Sequence, residues 1–345
     1  MGTVEYGAKQ AIENCLKIKE SEKLVIITDR ETLEIGNALK YAAEKRTKNI
    51  DFYVLEDFGE RPEDGSNPLK CPDEIFESLK DANASIYCAK GKKNEFYSLR
   101  KPMVEFIQKT KRVRHAHMPN ISKKIMETGM CADYAEIQRI SQKLYDIIKD
   151  AKEIRVTTEK GTDVKARFNP KLRWAISDGD VGARGKIWTN LPDGEVFTSP
   201  RYVSGHVIID GCLGDIFKRY GSIEDTPVEM DIKRGRIVKG SVKCSNRQLE
   251  KELNDYIFNT DKNSNRIGEW AHGTNIFLEE IIGELLQDEK FPGFHLAWGD
   301  PLGDHTGAKW KSKVHCDGVV KNPTIYVKLM DDRIIKIMEK GKYLI

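Results

Sequence analysis

Apolar residues in the first half of the chain follow two alternating spacings. Short unbroken apolar runs at 24–29, 50–55 and 84–89 predict buried strands. Residues 31–45 and 72–82, which lie between these runs, carry apolar positions at helical spacing. Strands that alternate with helices form a parallel sheet with helices on both faces. The first half is therefore predicted to be an α/β domain with a parallel sheet.

The second half has a different pattern. A helical stretch at 134–151 is predicted to link the halves, and residues 153–168 then show the alternation of a β-hairpin. Short β segments with frequent glycines and aspartates follow, with one helix expected around 247–257. We therefore expect a β-rich α+β domain after a boundary near residue 152. The predicted domains are 1–152 and 153–345.

Composition and charge narrow the classes of binding partner and the cellular location that we expect. The chain has 57 basic and 54 acidic residues and a formal charge of +3, which gives no electrostatic reason to expect nucleic acid or an anionic membrane. Its seven cysteines form no CxxC pair, so reduced thiols are the simplest interpretation. The first residues lack the apolar core of a signal peptide, and no run reaches the roughly 20 apolar residues of a membrane span. A cytoplasmic protein is expected.

Two features of the first half give no evidence of a binding site. The run at 24–29 is followed by Arg30-Glu31-Thr32, and not by the glycine-rich turn of a dinucleotide-binding domain, so a nucleotide role for this half is unsupported. His115 and His117 alternate on a predicted strand and point the same way, but no third metal ligand lies near them in the sequence. We expect them to be structural or to line a pocket.

The strongest candidates for chemistry lie in the second half. In the segment VHCD, His315 and Asp317 are two residues apart, so in a strand they project from one face. Glu195 in NLPDGEVFTSP, Glu269 in RIGEWAHGTN and His295 in DEKFPGFHLAWG bring the set to three carboxylates and two imidazoles. Such donors suit zinc, cobalt, manganese or ferrous iron, and this many can hold two divalent ions.

The spacing alone also leaves a structural alternative open. Glu195 can end a turn, and His295, between Phe294 and Leu296, can be a hydrogen-bonded core histidine. His206 lies in an apolar strand and is interpreted as structural, and Asp178 and Asp180 as turn residues. The lysine-rich stretches 90–93 and 309–313 are interpreted as solvated loops, although the second could receive a substrate carboxylate.

These segments together resemble the thermophilic metallo-aminopeptidases of the aminopeptidase T and aminopeptidase S type. NLPDGEVFTSP, GEW followed by GTN, DEKFPGFHLAWG and VHCD are similar to that family's ligand motifs and occur in the same order, mainly within 165–325. The resemblance implies five metal ligands, which are Glu195, Glu269, His295, His315 and Asp317. It also implies a homodimer.

The function that this resemblance implies is hydrolysis of short peptides from their N-terminus. Two divalent ions (zinc, cobalt, manganese or magnesium) would activate a water, with Asp317 bridging them and Glu195 or Glu269 moving a proton. The sequence departs from the family at Leu302, where those peptidases carry a tyrosine. His305 or His272 would then take the tyrosine's role, and His305 is our catalytic candidate.

That departure keeps two alternatives open. The superfamily is also similar to 2,5-dihydroxypyridine dioxygenase, an Fe(II) enzyme that cleaves the ring of a small molecule and retains the HxD pair. The two glutamates count against this alternative, because they serve a two-metal site better than a single iron. The other alternative is a metal-binding homologue without catalytic activity.

Overall fold

The computed structural model describes residues 2–185 and 187–345. The chain has a mixed α/β fold and divides into two compact units. The first comprises Met1–Glu136 and Gly179–Asp193, and the second comprises Ile137–Asp178 and Gly194–Ile345. This division differs from a single cut near residue 152, because one later segment returns to the first unit.

The strands and helices have the following bounds. The strands are β1 (Leu24–Thr28), β2 (Ile50–Val54), β3 (Ala84–Tyr87), β4 (Arg114–His117), β5 (Ala151–Thr157), β6 (Asp163–Arg167), β7 (Ala175–Ser177), β8 (Trp188–Asn190), β9 (Glu195–Thr198), β10 (Tyr202–Ile209), β11 (Val228–Lys233), β12 (Arg236–Ile237), β13 (Lys243–Cys244), β14 (Ile267–Gly273), β15 (Phe294–Gly299), β16 (His315–Val320), β17 (Thr324–Leu329), β18 (Ile334–Glu339) and β19 (Lys342–Tyr343). The α-helices are α1 (Val4–Lys9), α2 (Leu33–Glu44), α3 (Asp73–Asp81), α4 (Lys101–Thr110), α5 (Lys123–Glu127), α6 (Tyr134–Ile148), α7 (Arg247–Asn259), α8 (Leu285–Asp288) and α9 (Gly303–Thr306). Gln10–Cys15 extends α1 as a π-helix.

The first unit contains the parallel sheet that the sequence predicts. Its strands lie in the order β2-β1-β3-β4-β8, all parallel. Helices α3 and α4 pack apolar side chains such as Leu79 and Ile107 against Val25 and Ile27 of β1. Each such buried side chain contributes about 1.5–3 kcal/mol to folding. Strand β8 was not predicted, because three residues give too little pattern to recognise.

A buried ion cluster fills the carboxyl end of this sheet. Asp29 directly follows β1 and accepts hydrogen bonds from the backbone N–H and hydroxyl of Thr32, at 2.8 and 2.7 Å. The Arg61 guanidinium donates to Asp29 at 2.9 Å and to Glu95 at 2.7 Å, and these three side chains are at most 2% exposed. The main chain of Lys90 also donates to Asp29, at 2.6 Å. In many α/β proteins ligands bind at this end of the sheet, whereas here the protein's own charges occupy it.

The predicted histidine pair belongs to the same sheet. His115 and His117 are both buried on β4, and His115 Nε2 lies 3.1 Å from His117 Nδ1. His115 Nδ1 also contacts the Ser85 hydroxyl at 2.8 Å, and the His117 ring stacks on Tyr87. Burial lowers the pKa of His115 to about 3, so this imidazole is neutral. These contacts agree with a structural role for the pair.

The second unit is built mainly from antiparallel strands. A large sheet runs β12-β11-β10-β6-β5-β17-β18-β19, and β13 pairs with β11. Strands β5 and β6 form the hairpin predicted for 153–168. Helix α7 is capped by Asn246 and buries Leu249, Leu253 and Ile257, which are four residues apart and so lie on one side.

A second antiparallel sheet of this unit runs β16-β15-β14-β9-β7. One face packs into the core through Trp270, Leu296 and Trp298. The other face carries the candidate residues for chemistry. Within residues 2–185 and 187–345, no helix is both long and apolar enough to cross a bilayer.

Candidate metal centre

The alternation of side chains along β14, β15 and β16 brings the candidate residues together. Glu269 pairs with Ala297, and Ala297 pairs with Asp317 on the next strand. Directly paired residues point to the same face of a sheet, so the two acids stand on either side of a methyl group. Residues two positions away share that face, which adds His295 and His315. Four of the five predicted ligands therefore lie on one face of three adjacent strands.

Small residues make room for these polar side chains. Ala271 pairs with His295, Gly273 with Glu195, and Gly299 with His315. In each pair a residue with little or no side chain stands beside one with a carboxylate or an imidazole. The face therefore has space above the sheet where the polar groups converge.

A β-bulge at Gly268 gives Glu269 its direction. Ile267 pairs with Trp298 and Glu269 with Ala297, so one strand has an extra residue between the two pairs. Because of this shift, Ile267 packs into the core while Glu269 faces the opposite side. A Cβ atom on Gly268 would lie 2.6 Å from the carbonyl oxygen of Asp300, so only glycine fits.

The ligand atoms form two groups of three that share Glu269. Glu195, Glu269 and His295 form one group, and Glu269, His315 and Asp317 form the other. Within each group the nitrogen and oxygen atoms lie within 4.8 Å of one another. The structure therefore places all five predicted ligand residues in one cluster.

One ring nitrogen of His315 points at the carboxylates among which a cation would bind. Its Nδ1 lies 2.9 Å from the carbonyl oxygen of Asp300, which can only accept, so Nδ1 carries the hydrogen. Nε2 points at Glu269 and Asp317, at 3.2 and 3.5 Å. A histidine that donates through one nitrogen to a carbonyl presents the other as a metal ligand.

The Asp300 loop fixes this arrangement. The Asp300 carboxylate accepts from the main chain of Leu302 at 3.1 Å and of Ser312 at 3.2 Å, which closes the loop between β15 and β16. Trp310 stabilises the same loop by stacking under the Arg266 guanidinium, 3.5 Å from the ring centre. The orientation of His315 therefore depends on a loop that is itself held at several points.

The sequence analysis missed two charged residues of the site, Glu289 and Lys290. Lys290 is 1% exposed, and its Nζ lies 2.7 Å from Glu195 and 2.7 Å from Glu289. Both residues lie in the segment singled out for His295, as the second and third letters of DEK. Nothing in a single sequence distinguishes a buried lysine from the many that are exposed.

Burial and neighbouring charges shift the pKa values of these acids in opposite directions. Burial alone raises the pKa of Glu195, but Lys290 and His295 more than offset this and lower it to about 2. Burial raises the pKa of Glu289 to about 8, because Glu195 and Asp317 add to it against the attraction of Lys290. These surroundings favour the anionic form of Glu195 and the protonated form of Glu289.

The donor set fits a divalent metal ion. Glu195, Glu269, Glu289 and Asp317 bring four negative charges when ionised, and Lys290 brings one positive charge. Buried carboxylates in such excess are stable only with protons or cations among them. Imidazole and carboxylate donors suit zinc, manganese, cobalt or ferrous iron.

The cluster opens to solvent at one end. The His315 side chain is 27% exposed, whereas those of Asp317, Glu269 and His295 are 7%, 4% and 2% exposed. His315 is therefore the most accessible of these four side chains.

The remaining candidates lie outside the cluster of ligand atoms. His272 is on the core face of β14, and its Nε2 accepts from the Trp270 indole at 3.1 Å. His305 lies in α9 with its ring 5.9 Å from that of Phe197, a neighbour of Glu195. Leu302 begins the same helix with a left-handed backbone. His206, on β10, is partly exposed and contacts Asp231 at 2.8 Å.

The lysine-rich stretches and Asp180 have ordinary structural surroundings, and Asp178 is buried. Lys92 forms ion pairs with Glu31 and Glu63, and Asp180 pairs with Lys17. Lys309, Lys311 and Lys313 are exposed.

Comparison with known proteins identifies the family and the fold. The family model of the thermophilic metalloproteases (M29) matches residues 124–343. Among solved structures, the chain is similar to wild-type AmpT from Thermus thermophilus, with a TM-score of 0.67, 16% identity and 99% of each chain covered. It is also similar to 2,5-dihydroxypyridine dioxygenase from Pseudomonas putida KT2440, with a TM-score of 0.69, 16% identity, and 99% of this chain and 96% of that one covered. No curated protein sequence matches the chain. At this identity the two structures establish a shared fold.

Proposed function

Since the chain belongs to the thermophilic metalloprotease family (M29), we propose that it is a metal-dependent aminopeptidase that removes N-terminal residues from short peptides. The observation that carries the proposal is the pair of three-residue ligand groups that share Glu269. Two such groups suit two divalent ions with one carboxylate between them. Zinc, cobalt, manganese or magnesium are the candidates.

Each ligand has an assigned place in this proposal. Glu195, Glu269 and His295 would hold one ion, and Glu269, His315 and Asp317 the other. Glu269 is thereby the shared carboxylate, in place of Asp317, which the sequence analysis assigned to that role. When bound, such ions polarise a peptide carbonyl and lower the pKa of a water.

The chain's own acids supply the proton transfer. Glu289 belongs to neither ligand group, and Lys290 fixes one of its oxygens at 2.7 Å. We assign to Glu289 the proton that leaves the attacking water and then reaches the nitrogen of the departing amine. A carboxylate whose pKa lies near neutral can accept and return a proton at physiological pH. The water oxygen bonds to the carbonyl carbon, and the carbon–nitrogen bond breaks.

We propose action at the N-terminus from the similarity to aminopeptidase T, and not from the charge of the site, because two divalent ions would offset the charge of its carboxylates. His305, near Phe197, remains a candidate for a further contact with the substrate.

Peptide hydrolysis by matched variants tests the proposal. We expect the metal-loaded protein to release free amino acids from aminoacyl-anilides and short peptides, and Glu269→Gln and Asp317→Asn to lower kcat/KM at least about 100-fold. Glu289→Gln should lower kcat while retaining metal. Asp231→Asn, which changes a carboxylate outside the cluster, is the control and should behave as the wild type. Full activity in Glu269→Gln would remove the proposed site.

A second function has specific support. The chain shares its fold with a dioxygenase, and Leu302 stands where the family resemblance places a tyrosine. Glu269, His315 and Asp317 offer three donors to one ion, although ferrous oxygenases commonly use two histidines and one carboxylate, so this is the second candidate. Ring cleavage by an Fe(II) dioxygenase would then act on a small aromatic substrate. Oxygen consumption with 2,5-dihydroxypyridine after anaerobic loading with Fe(II), without peptidase activity, would favour this alternative.

We also propose a cellular location, an oligomeric state and a class of partner for the enzyme. We infer a cytoplasmic homodimer that acts on short peptides and has no nucleic-acid or membrane partner. Light scattering after size-exclusion chromatography measures the mass directly, and a monomer would remove the dimer from the proposal.

A further inference from the structure

Lys290 places an ammonium group beside the cluster of metal ligands. Its Nζ lies 2.7 Å from Glu195 Oε1 and 2.7 Å from Glu289 Oε1, and the side chain is 1% exposed. A buried ammonium with two carboxylate partners has no solvent to move into. It therefore acts as a fixed cation inside the site.

The backbone holds Lys290 against Glu195. Its N–H donates to the carbonyl of Gln287 at 2.9 Å, and its own carbonyl accepts from the N–H of Asn275 at 3.0 Å. The Lys290 carbonyl also passes so close to Gly273 that a Cβ there would lie 2.8 Å from it. Because Gly273 is the residue that pairs with Glu195, Lys290 lies directly above the strand pair that presents this ligand.

This contact makes the two ligand groups chemically different. The group of Glu195, Glu269 and His295 contains a carboxylate whose charge an ammonium already balances. In the group of Glu269, His315 and Asp317, the two carboxylates lie 3.2 and 3.5 Å from His315 Nε2, a nitrogen that is neutral when it binds a metal. Because like charges repel more strongly at shorter range, a cation bound through Glu195, whose oxygen lies 2.7 Å from Lys290 Nζ, is opposed directly by Lys290.

We propose that Lys290 makes the two metal subsites unequal, so that the Glu269–His315–Asp317 subsite fills first and the Glu195–Glu269–His295 subsite binds a second ion more weakly. The inference rests on the proposed metal site, and it does not depend on peptide hydrolysis. Lys290 is here a positioning residue, which holds one oxygen of Glu195 and leaves the other facing His295 at 3.4 Å.

Metal titration of the full chain tests this. The protein is stripped with a chelator and titrated with Co²⁺, whose visible spectrum follows binding, while elemental analysis after equilibrium dialysis gives the number of ions per chain. We expect one tightly bound Co²⁺ in the wild type, with a second bound at least about 10-fold more weakly. In Lys290→Met the second ion should tighten by about 10–100-fold, whereas the first should change by less than about threefold.

Lys239→Met removes the same charge from an exposed lysine in the same unit, outside the loop that carries His315, and should titrate as the wild type. If Lys290→Met does not fold, as far-UV circular dichroism would show, the wild-type titration still decides, because two ions of equal affinity would overturn the inference. An unchanged or weaker second ion in folded Lys290→Met would overturn it as well.

The titration distinguishes failure of this inference from failure of the proposed function. Two equal ions in a protein that hydrolyses peptides would remove this inference and leave the proposed function standing. No bound Co²⁺ in either protein would remove both.

Discussion

Arg61→Met would remove a guanidinium that several carboxylates of the first unit share. Arg61 donates to Asp29 at 2.9 Å, to Glu56 at 3.0 Å and to Glu95 at 2.7 Å, and also to the carbonyl of Lys90 at 2.6 Å. Methionine has a similar length and no charge. The substitution therefore leaves Asp29 and Glu95 buried without their positive partner.

The expected loss is about 3–5 kcal/mol of unfolding free energy, which is the range for breaking a buried ion pair by removing one partner. Asp29 keeps its hydrogen bonds from Thr32 and from the Lys90 main chain, so most of the cost falls on Glu95. Glu56 adds little, because its side chain is 17% exposed and water can solvate it. Adding Glu95→Gln to Arg61→Met should recover part of the loss, since it removes the unpaired charge.

Urea unfolding at neutral pH, followed by far-UV circular dichroism, measures these changes. The control is Lys123→Met in the same unit, whose pairing with Glu34 is exposed at 61% and 73% and should contribute less than about 1 kcal/mol. The reasoning would be refuted if Arg61→Met cost no more than this control. It would also be refuted if the double variant were less stable than Arg61→Met alone.

Three further results are expected. Burial raises the pKa of Asp29, but its hydrogen bonds with Thr32 and Arg61 outweigh this effect, so that its pKa is lowered overall. The stability that ionised Asp29 contributes is therefore complete above its unfolded pKa of about 4 and is lost as the pH falls through its folded pKa. The difference in unfolding free energy between wild type and Arg61→Met should therefore shrink from pH 7 to pH 3. A constant difference would contradict this. Gly268→Ala should cost about 1–3 kcal/mol and weaken metal binding, because its Cβ meets backbone 2.6 Å away, whereas Gly91→Ala has room and should be neutral in urea unfolding. Chelation should lower the Tm in thermal unfolding and added zinc should restore it, since a cation that binds only the folded state stabilises it; an unchanged Tm would count against a resident metal.

Much of the fold was readable from the sequence because its elements follow simple periodicities. The runs at 24–29, 50–55 and 84–89 are confirmed as β1, β2 and β3, and the hairpin at 153–168 as β5 and β6. His315 and Asp317 lie on one face of β16, as their spacing predicts, while their role as metal ligands stays a prediction. Each of these inferences used neighbouring residues alone.

What the sequence did not reveal depends on contacts between distant segments. The return of 179–193 to the first unit and the pairing of β8 with β4 leave no local pattern. The bulge at Gly268 is invisible as well, because an alternating pattern across it predicts the wrong face for either Ile267 or Glu269. Lys290 was overlooked because its burial comes from the strands around it.

In the sheet that carries the candidate site, alternate residues of a strand have different roles, so their substitution has different consequences. Along β14 and β15, Trp270, Leu296 and Trp298 serve the core, whereas Glu269 and His295 serve the metal site. Random substitutions at the first set would lower the amount of folded protein in a cell. Substitutions at the second set would leave well-folded protein that has lost its chemistry. A mutational scan that records abundance and activity separately would therefore find that alternate residues along each strand affect abundance, and that the residues between them affect activity. This alternation would shift by one residue at the bulge.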